Sequence, residues 1–284
     1  MYENLNGMLK KARAEKYAIP AIDITENHMI RTILDTAEAE GSPIILMALE
    51  SDLVGKGMDY ITSVVKGVSS RYRVPIALHL DHATDFELIK RAIQNGFSSV
   101  MYDGSVLPFE ENVANTKKVV EYAHQYNVSV EAELGHVAGK ELGGNEDEAE
   151  IQLTSPEEVK KFVELTNVDC LAVSIGTAHG IYESLPDLDI QRLEEINAIS
   201  KVPLVLHGGS GTPEDQLQEA FKHGIAKINL FADLRIANRQ GYEEALKENE
   251  RIDCLPADLH RSISKVLGEA VKHKMHMTGS NAKY

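Results

Sequence analysis

The chain has 284 residues, 43% hydrophobic and 26% charged, enough to bury a sizeable core and within range of one large α/β domain or two small ones. Its formal charge of −15 argues against general affinity for nucleic acid or anionic membranes. It does not argue against phosphate, which needs only a local positive pocket.

No apolar run approaches the roughly 20 residues that span a bilayer. Met1 to Lys16 is charged and helix-like, without the apolar centre of a leader, and neither Cys170 nor Cys254 belongs to a C-x-x-C pair. A cytoplasmic protein with no structural disulfide is expected. From there on, short apolar runs alternate with amphipathic stretches. Strand 17–22 precedes helix 26–40, strand 43–48 precedes helix 58–72, and strand 75–80 precedes helix 84–95. Strand 98–102 precedes helix 110–126, and strand 128–134 precedes helix 155–166. The last three pairs are 169–175 with 189–199, 202–206 with 213–223, and 225–230 with 233–247. Several strands are almost continuously apolar, as parallel strands buried on both faces require. Thr84-Asp85, Ser155-Pro156-Glu157-Glu158 and Thr212-Pro213-Glu214-Asp215 mark helix starts, and Gly41, Gly96 and Gly224 mark helix ends.

Eight strand–helix repeats predict an α/β fold of the (β/α)8 TIM-barrel type, a single domain over 1–284. The absence of G-x-G-x-x-G after the first strand speaks against a doubly wound sheet. A final helix near 256–274, within a C-terminal helix and tail at 256–284, lies beyond the repeat. It is expected to cap the barrel bottom or to pack against another subunit. The polar, glycine-containing stretch 135–154 is long for a compact domain and reads as a mobile active-site loop.

Three histidines share one local grammar: His82 in Leu80-Asp81-His82-Ala83, His179 in Gly176-Thr177-Ala178-His179-Gly180, and His207 in Leu206-His207-Gly208-Gly209-Ser210-Gly211. Each follows an apolar run and sits where a strand breaks into a turn. Three such imidazoles make an open zinc site with one or two positions left for water or substrate. On a barrel, all three fall on the C-terminal rim where active sites of this fold are built, together with Glu131, Glu133 and Asn229.

Asp81 and His82 are adjacent, so on a regular strand they point apart, leaving Asp81 to do general acid–base work while His82 reaches the metal. Glu131 and Glu133 share a strand face. They read as partners that orient a ligand imidazole, as an alternative metal position, or as a structural pair with Lys227 or Arg73. Glu141 lies in the long loop, from which a carboxylate can swing in with substrate and take a proton. Gly208-Gly209-Ser210-Gly211-Thr212-Pro213 is a glycine-rich turn opening a helix, an anion nest beside a candidate metal ligand.

These residues resemble those of the class II, zinc-dependent ketose-bisphosphate aldolases of the fructose- and tagatose-1,6-bisphosphate type. The resemblance rests on L-D-H-A at 80–83, E-A-E-L-G at 131–135, G-T-A-H-G at 176–180, H-G-G-S-G at 207–211, K-I-N at 227–229 and G-S at 279–280. It implies one catalytic zinc per chain on His82, His179 and His207, with a monovalent cation as an optional further ion. It also implies that Asp81 exchanges the hydroxyl proton at the scissile bond and Glu141 the proton of the enediolate carbon. Gly180, Gly208, Gly209, Ser210 and Asn229 would hold dihydroxyacetone phosphate, and Arg261, donated by a neighbouring subunit of a homodimer or homotetramer, would hold the far end of a phosphorylated ketose.

The chain departs from the family pattern at Asp23, Leu49, Glu50, Phe231 and Ala232, all near the expected substrate. Those changes predict weak turnover of 1,6-bisphosphates and better turnover of a ketose 1-phosphate with a different distal end. Two other functions share the fold: a catalytically silent, aldolase-like structural subunit of a sugar-utilisation complex, and a metal-dependent sugar-phosphate epimerase or hydrolase.

Overall fold

The computed structural model describes residues 1–137, 152–178 and 186–284. Its eight parallel strands are β1 (Ile19–Asp23), β2 (Ile44–Ala48), β3 (Ile76–Ala83), β4 (Ser99–Tyr102), β5 (Ser129–Leu134), β6 (Cys170–Val173), β7 (Leu204–Leu206) and β8 (Ile225–Leu230). They pair in chain order, and β8 returns to β1 to close the barrel. Around them run α2 (Asn27–Glu40), α3 (Gly57–Ser69), α4 (Phe86–Asn95), α5 (Phe109–Ala123), α6 (Pro156–Thr166), α7 (Ile190–Ile199), α8 (Glu214–Lys222) and α9 (Ala232–Glu248). This is a (β/α)8 TIM barrel. The strands are buried almost throughout, which is why their sequences lack a polar alternation. Gly41 and Gly96 end their helices in the left-handed region, at φ 59° and 110°, where a Cβ would be strained.

The two ends of the chain divide the work differently from the sequence expectation. The barrel bottom is closed by the first helix, α1 (Leu5–Glu15), not by the last. Leu5, Met8, Leu9 and Ala12 pack into the barrel interior against Ile19, Ala21, Ile45, Ala77, Cys170, Ala172, Val205 and Ala226. Burying each of the three large side chains contributes roughly 1.5–3 kcal/mol. Arg13 locks the plug by donating to the carbonyls of Asn197, Ser200 and Val202 just before β7, at 2.9 Å each. The last helix, α10 (Pro256–Met277), lies outside the barrel against α2 and α9. Both cysteines are free, as expected.

Inside the barrel the chemistry changes with height. Its lower layers are the apolar cluster around α1; towards the C-terminal ends of the strands it becomes charged, with His79, Asp81, Glu131, Glu133, His207, Lys227 and Asn229 all buried. A charged interior at one end of a barrel is costly unless every group finds a partner.

Candidate active site

The first part of the site is made by an irregularity in β3. Its register with β4 shifts between Leu80 and Ala83, and His82 stands at φ 46°, in the left-handed region a histidine rarely adopts. On a regular strand Asp81 and His82 would face opposite sides, as the sequence reading assumed. The bulge turns His82 back, so that both side chains reach the same space. Strain of this kind persists where the surroundings hold it, and here a carboxylate does: Asp103, just after β4, lies 2.8 Å from His82 Nδ1. Nδ1 is thereby committed, and Nε2 is the nitrogen directed to a ligand. Asp81 is held as firmly, since Asn229 Nδ2 donates to its two carboxylate oxygens at 3.1 and 3.0 Å. Burial alone would raise the Asp81 pKa, but the positive groups around it, His82 foremost, bring it well below the usual carboxylate value.

His207, one residue past β7, supplies the second imidazole. Its ring lies 4.6 Å from that of His82, centroid to centroid, at 62°. Nε2 lies 2.9 Å from Glu131 Oε1, and Nδ1 lies 3.0 Å from Glu133 Oε2. Burial disfavours a charged ring there, but the two carboxylates outweigh it and raise the His207 pKa to about 9. Glu131 also meets Lys227, fully buried, whose Nζ is 2.8 Å from Oε2 and 3.0 Å from Oε1. The structural pairing with Lys227 is therefore present, alongside the contact that orients His207; Arg73 pairs with Glu38 instead. Beneath Asp81 sits His79, which no turn or motif in the sequence marks out. Its Nδ1 lies 2.8 Å from Ser99 Oγ and its Nε2 lies 3.5 Å from Asp81 and 3.7 Å from Glu131. Burial, with the Lys227 charge, lowers its pKa and keeps it neutral.

The glycine-rich turn after β7 is accounted for partly by packing. A Cβ on Gly208 would come within 2.4 Å of the Ala178 carbonyl oxygen, and one on Gly209 within 2.6 Å of the Ile228 side chain and 2.9 Å of the Asn229 carbonyl oxygen. Gly209→Ala is therefore expected to destabilise the protein by about 1–3 kcal/mol, read as a lower midpoint in urea, because a packed side chain and a strand carbonyl must both shift. Gly209 N–H already donates to Asn229 O, at 3.3 Å. Ser210 Oγ accepts from Phe231 N at 3.1 Å and Asp233 N at 3.4 Å, tying the turn to the start of α9. Asn229 and the Ser210 hydroxyl thus hold other protein groups in this chain. The backbone N–H groups of Ser210 and Gly211 make no backbone hydrogen bond among the described residues, which leaves them as candidates for an anion nest.

His179, Gly180 and Glu141 lie outside the described residues. The stretch 135–154 is described only at its two ends, where His136 and Gln152 pair by backbone hydrogen bonds of 2.8 and 3.1 Å. Arg261 stands apart from the rim cluster. It is exposed on α10, 3.3 Å from Asp258, and lines an open groove of about 850 Å³ with His28, Arg31, Tyr242 and Lys265.

Ligand atoms of Asp81, His82 and His207 lie within 4.8 Å of one another, as do those of His82, Asp103 and Glu133. Glu133 Oε2 is buried and faces His207 Nδ1 at 3.0 Å, an ion pair that holds the ring when it is protonated and that a metal ion would replace. Two oriented imidazoles with buried carboxylates beside them fit a divalent cation, and nitrogen with oxygen donors suit zinc. The described residues bring two oriented imidazoles, His82 and His207, and the clamped Asp81 carboxylate together on the C-terminal rim.

The chain matches the family described as fructose-bisphosphate aldolase class II over residues 3–283. Among solved structures it is similar to the YdjI aldolase of Escherichia coli K12, with 31% identity, 100% of this chain and 99% of that chain covered, and a TM-score of 0.87. It is also similar to a protein assigned as a fructose-1,6-bisphosphate aldolase from Coccidioides immitis, with 32% identity, coverage of 98% and 96%, and a TM-score of 0.87. Fructose-bisphosphate aldolase of Campylobacter jejuni shares the fold, with 22% identity, coverage of 100% and 97%, and a TM-score of 0.84.

Proposed function

The chain belongs to the class II fructose-bisphosphate aldolase family, metal-dependent lyases acting on phosphorylated ketoses, and from that premise we propose that it is a zinc-dependent aldolase. It would reversibly cleave a ketose 1-phosphate or 1,6-bisphosphate into dihydroxyacetone phosphate and an aldehyde. The observation that carries this reading is the convergence of Asp81, His82 and His207, with Glu133 beside His207, Asp103 orienting His82 and Asn229 holding Asp81.

His82 and His207 would hold the metal with His179, Glu133 standing by as an alternative ligand. Zinc bound there would act as a Lewis acid that polarises the ketone of the substrate. Asp81, clamped by Asn229, takes the proton of the hydroxyl on the aldehyde-derived carbon as the carbon–carbon bond breaks. In the condensation direction it returns that proton. The remaining carbanion equivalent on dihydroxyacetone phosphate is protonated by Glu141. The phosphate is received by the N–H groups of Ser210 and Gly211 with Gly180, in a turn whose shape Gly208 and Gly209 make possible. Asn229 acts through Asp81, and Arg261 reaches substrate only from a second copy of the chain.

Purified protein is expected to hold about one zinc per chain, to lose it and its activity to a chelator, and to regain both with zinc or cobalt. Trapping dihydroxyacetone phosphate from a ketose 1-phosphate separates this reading from a silent subunit, an epimerase or a hydrolase, none of which breaks that carbon–carbon bond. A metal-loaded protein that releases no dihydroxyacetone phosphate from any ketose 1-phosphate or 1,6-bisphosphate would refute it.

A further inference from the structure

Three charged side chains on the β8–β1–β2 arc of the rim take no part in the chemistry above. Asp23 ends β1 and is only 2% exposed. Ile19 and Ala21 face the barrel interior, so strand alternation puts Asp23 on the same inner face, at the mouth. Its Oδ2 accepts from Arg235 Nε at 3.0 Å and Nη2 at 2.8 Å. Asp52, in the 3₁₀ turn Glu50–Leu53 after β2, brings a second carboxylate to within 3.8 Å of the same guanidinium. That turn is fixed by Leu49 N donating to Asp52 Oδ2 at 3.0 Å. The guanidinium carbon lies 4.1 Å from the centre of the Phe231 ring, and the arginine side chain remains 31% exposed.

An ion pair that merely tied α9 to β1 would need one carboxylate. Two carboxylates around one guanidinium leave the assembly with net negative charge, or with none if Asp23 carries a proton. Burial chiefly, with Asp52 adding, pushes the Asp23 pKa up to about 7, so both states occur near neutrality. Neither state offers a spare positive charge to a phosphate, and Glu50, exposed beside it, adds another negative one. What the assembly does offer is hydrogen-bond acceptors and a partly exposed guanidinium, the complement of a polyhydroxyl chain.

Position decides which end of the substrate meets it. Asp81 serves the hydroxyl of the aldehyde-derived half, and Asn229 of β8 holds Asp81. Ala21 is the register partner of Asn229, so Asp23, the next inward residue of β1, lies one layer further out. The anion nest follows β7, the strand on the far side of β8 from β1, and its Ser210 hydroxyl reaches back to Phe231 N at 3.1 Å. We propose that Asp23, Asp52 and Arg235 select the aldehyde-derived end of the substrate, admitting a neutral polyhydroxyl chain and rejecting a second phosphate. This rests on the aldolase reading.

The test compares D-glyceraldehyde with D-glyceraldehyde 3-phosphate as acceptors for dihydroxyacetone phosphate, using the zinc-loaded full chain. Wild type is expected to favour the neutral acceptor by about tenfold or more in kcat/KM, since like charges juxtaposed at a binding site are strongly disfavoured. Changing both Asp23→Asn and Asp52→Asn keeps the shapes and leaves Arg235 uncompensated. It should move the ratio towards the phosphorylated acceptor by about tenfold or more. Asp52→Asn alone, less buried and so a safer variant for folding, should move it the same way by a smaller factor. A purely structural role would lower both acceptors together and leave the ratio fixed. A fixed ratio, or a wild type that prefers the phosphorylated acceptor, overturns the proposal. Exchange of a dihydroxyacetone phosphate proton with solvent, measured on the same wild-type sample, tests the aldolase reading by itself. Exchange with a fixed ratio sinks only the selectivity proposal, and no exchange sinks both.

Discussion

Replacing His82 by alanine is expected to strip the protein of tightly bound zinc and to lower cleavage by roughly 10²-fold or more. The histidine is held in a left-handed backbone conformation, with Nδ1 committed to Asp103 at 2.8 Å, so its Nε2 is set in place before a metal arrives. The orienting carboxylate should matter less than the ligand. Asp103→Asn is expected to weaken metal affinity by about 10- to 100-fold while leaving a metal-loaded enzyme that still turns over. Equilibrium dialysis against a zinc buffer reads both. Unchanged zinc affinity in His82→Ala would remove that histidine from the site. His207→Ala is a less clean experiment, because it also leaves Glu131 and Lys227 as a buried pair short of one partner.

Asp81→Asn is expected to lower carbon–carbon cleavage by roughly 10²–10⁴-fold, the usual worth of a positioned acid–base group. Asparagine keeps the shape and lets Asn229 reorient its amide, so zinc should remain bound. Exchange of the dihydroxyacetone phosphate proton should stay measurable, because the proposal assigns that proton to Glu141. Glu141→Gln should behave in the opposite way, suppressing exchange with zinc retained. Identical losses in both assays for both variants would show that the two proton transfers are wrongly divided.

Much of this was legible in the sequence because it depends on local pattern. Continuous apolar runs gave buried parallel strands, and the ends of 75–80, 128–134, 202–206 and 225–230 placed Asp81, His82, Glu131, Glu133, His207 and Asn229 on one rim. What escaped depends on contacts between distant segments. The plug formed by α1 needs knowledge of what fills the barrel bottom, although its Leu5, Met8, Leu9 and Ala12 stripe was visible. His79 was readable as the residue two before Asp81 on the same face, and Lys227 as a charge inside an apolar strand. The Asp103 partner of His82 was signalled only by an acid at the end of 98–102. The bulge at His82 could not be foreseen, since strand alternation predicts the opposite direction for that side chain. Asp23 was noticed as a departure, but its partners Arg235 and Asp52 come from the other side of the barrel closure and from the turn after β2.

A rim that performs metal-assisted proton chemistry on dihydroxyacetone phosphate does so without the aldehyde, and the most direct measurement leaves the aldehyde out. Wild-type protein loaded with zinc is incubated with dihydroxyacetone phosphate in deuterium oxide, and the hydroxymethyl protons are followed by proton NMR. The expected result is stereospecific loss of one of the two protons, abolished by a chelator and restored by zinc. Retention of both protons at full zinc occupancy, or exchange that persists unchanged after the metal is removed, would contradict it.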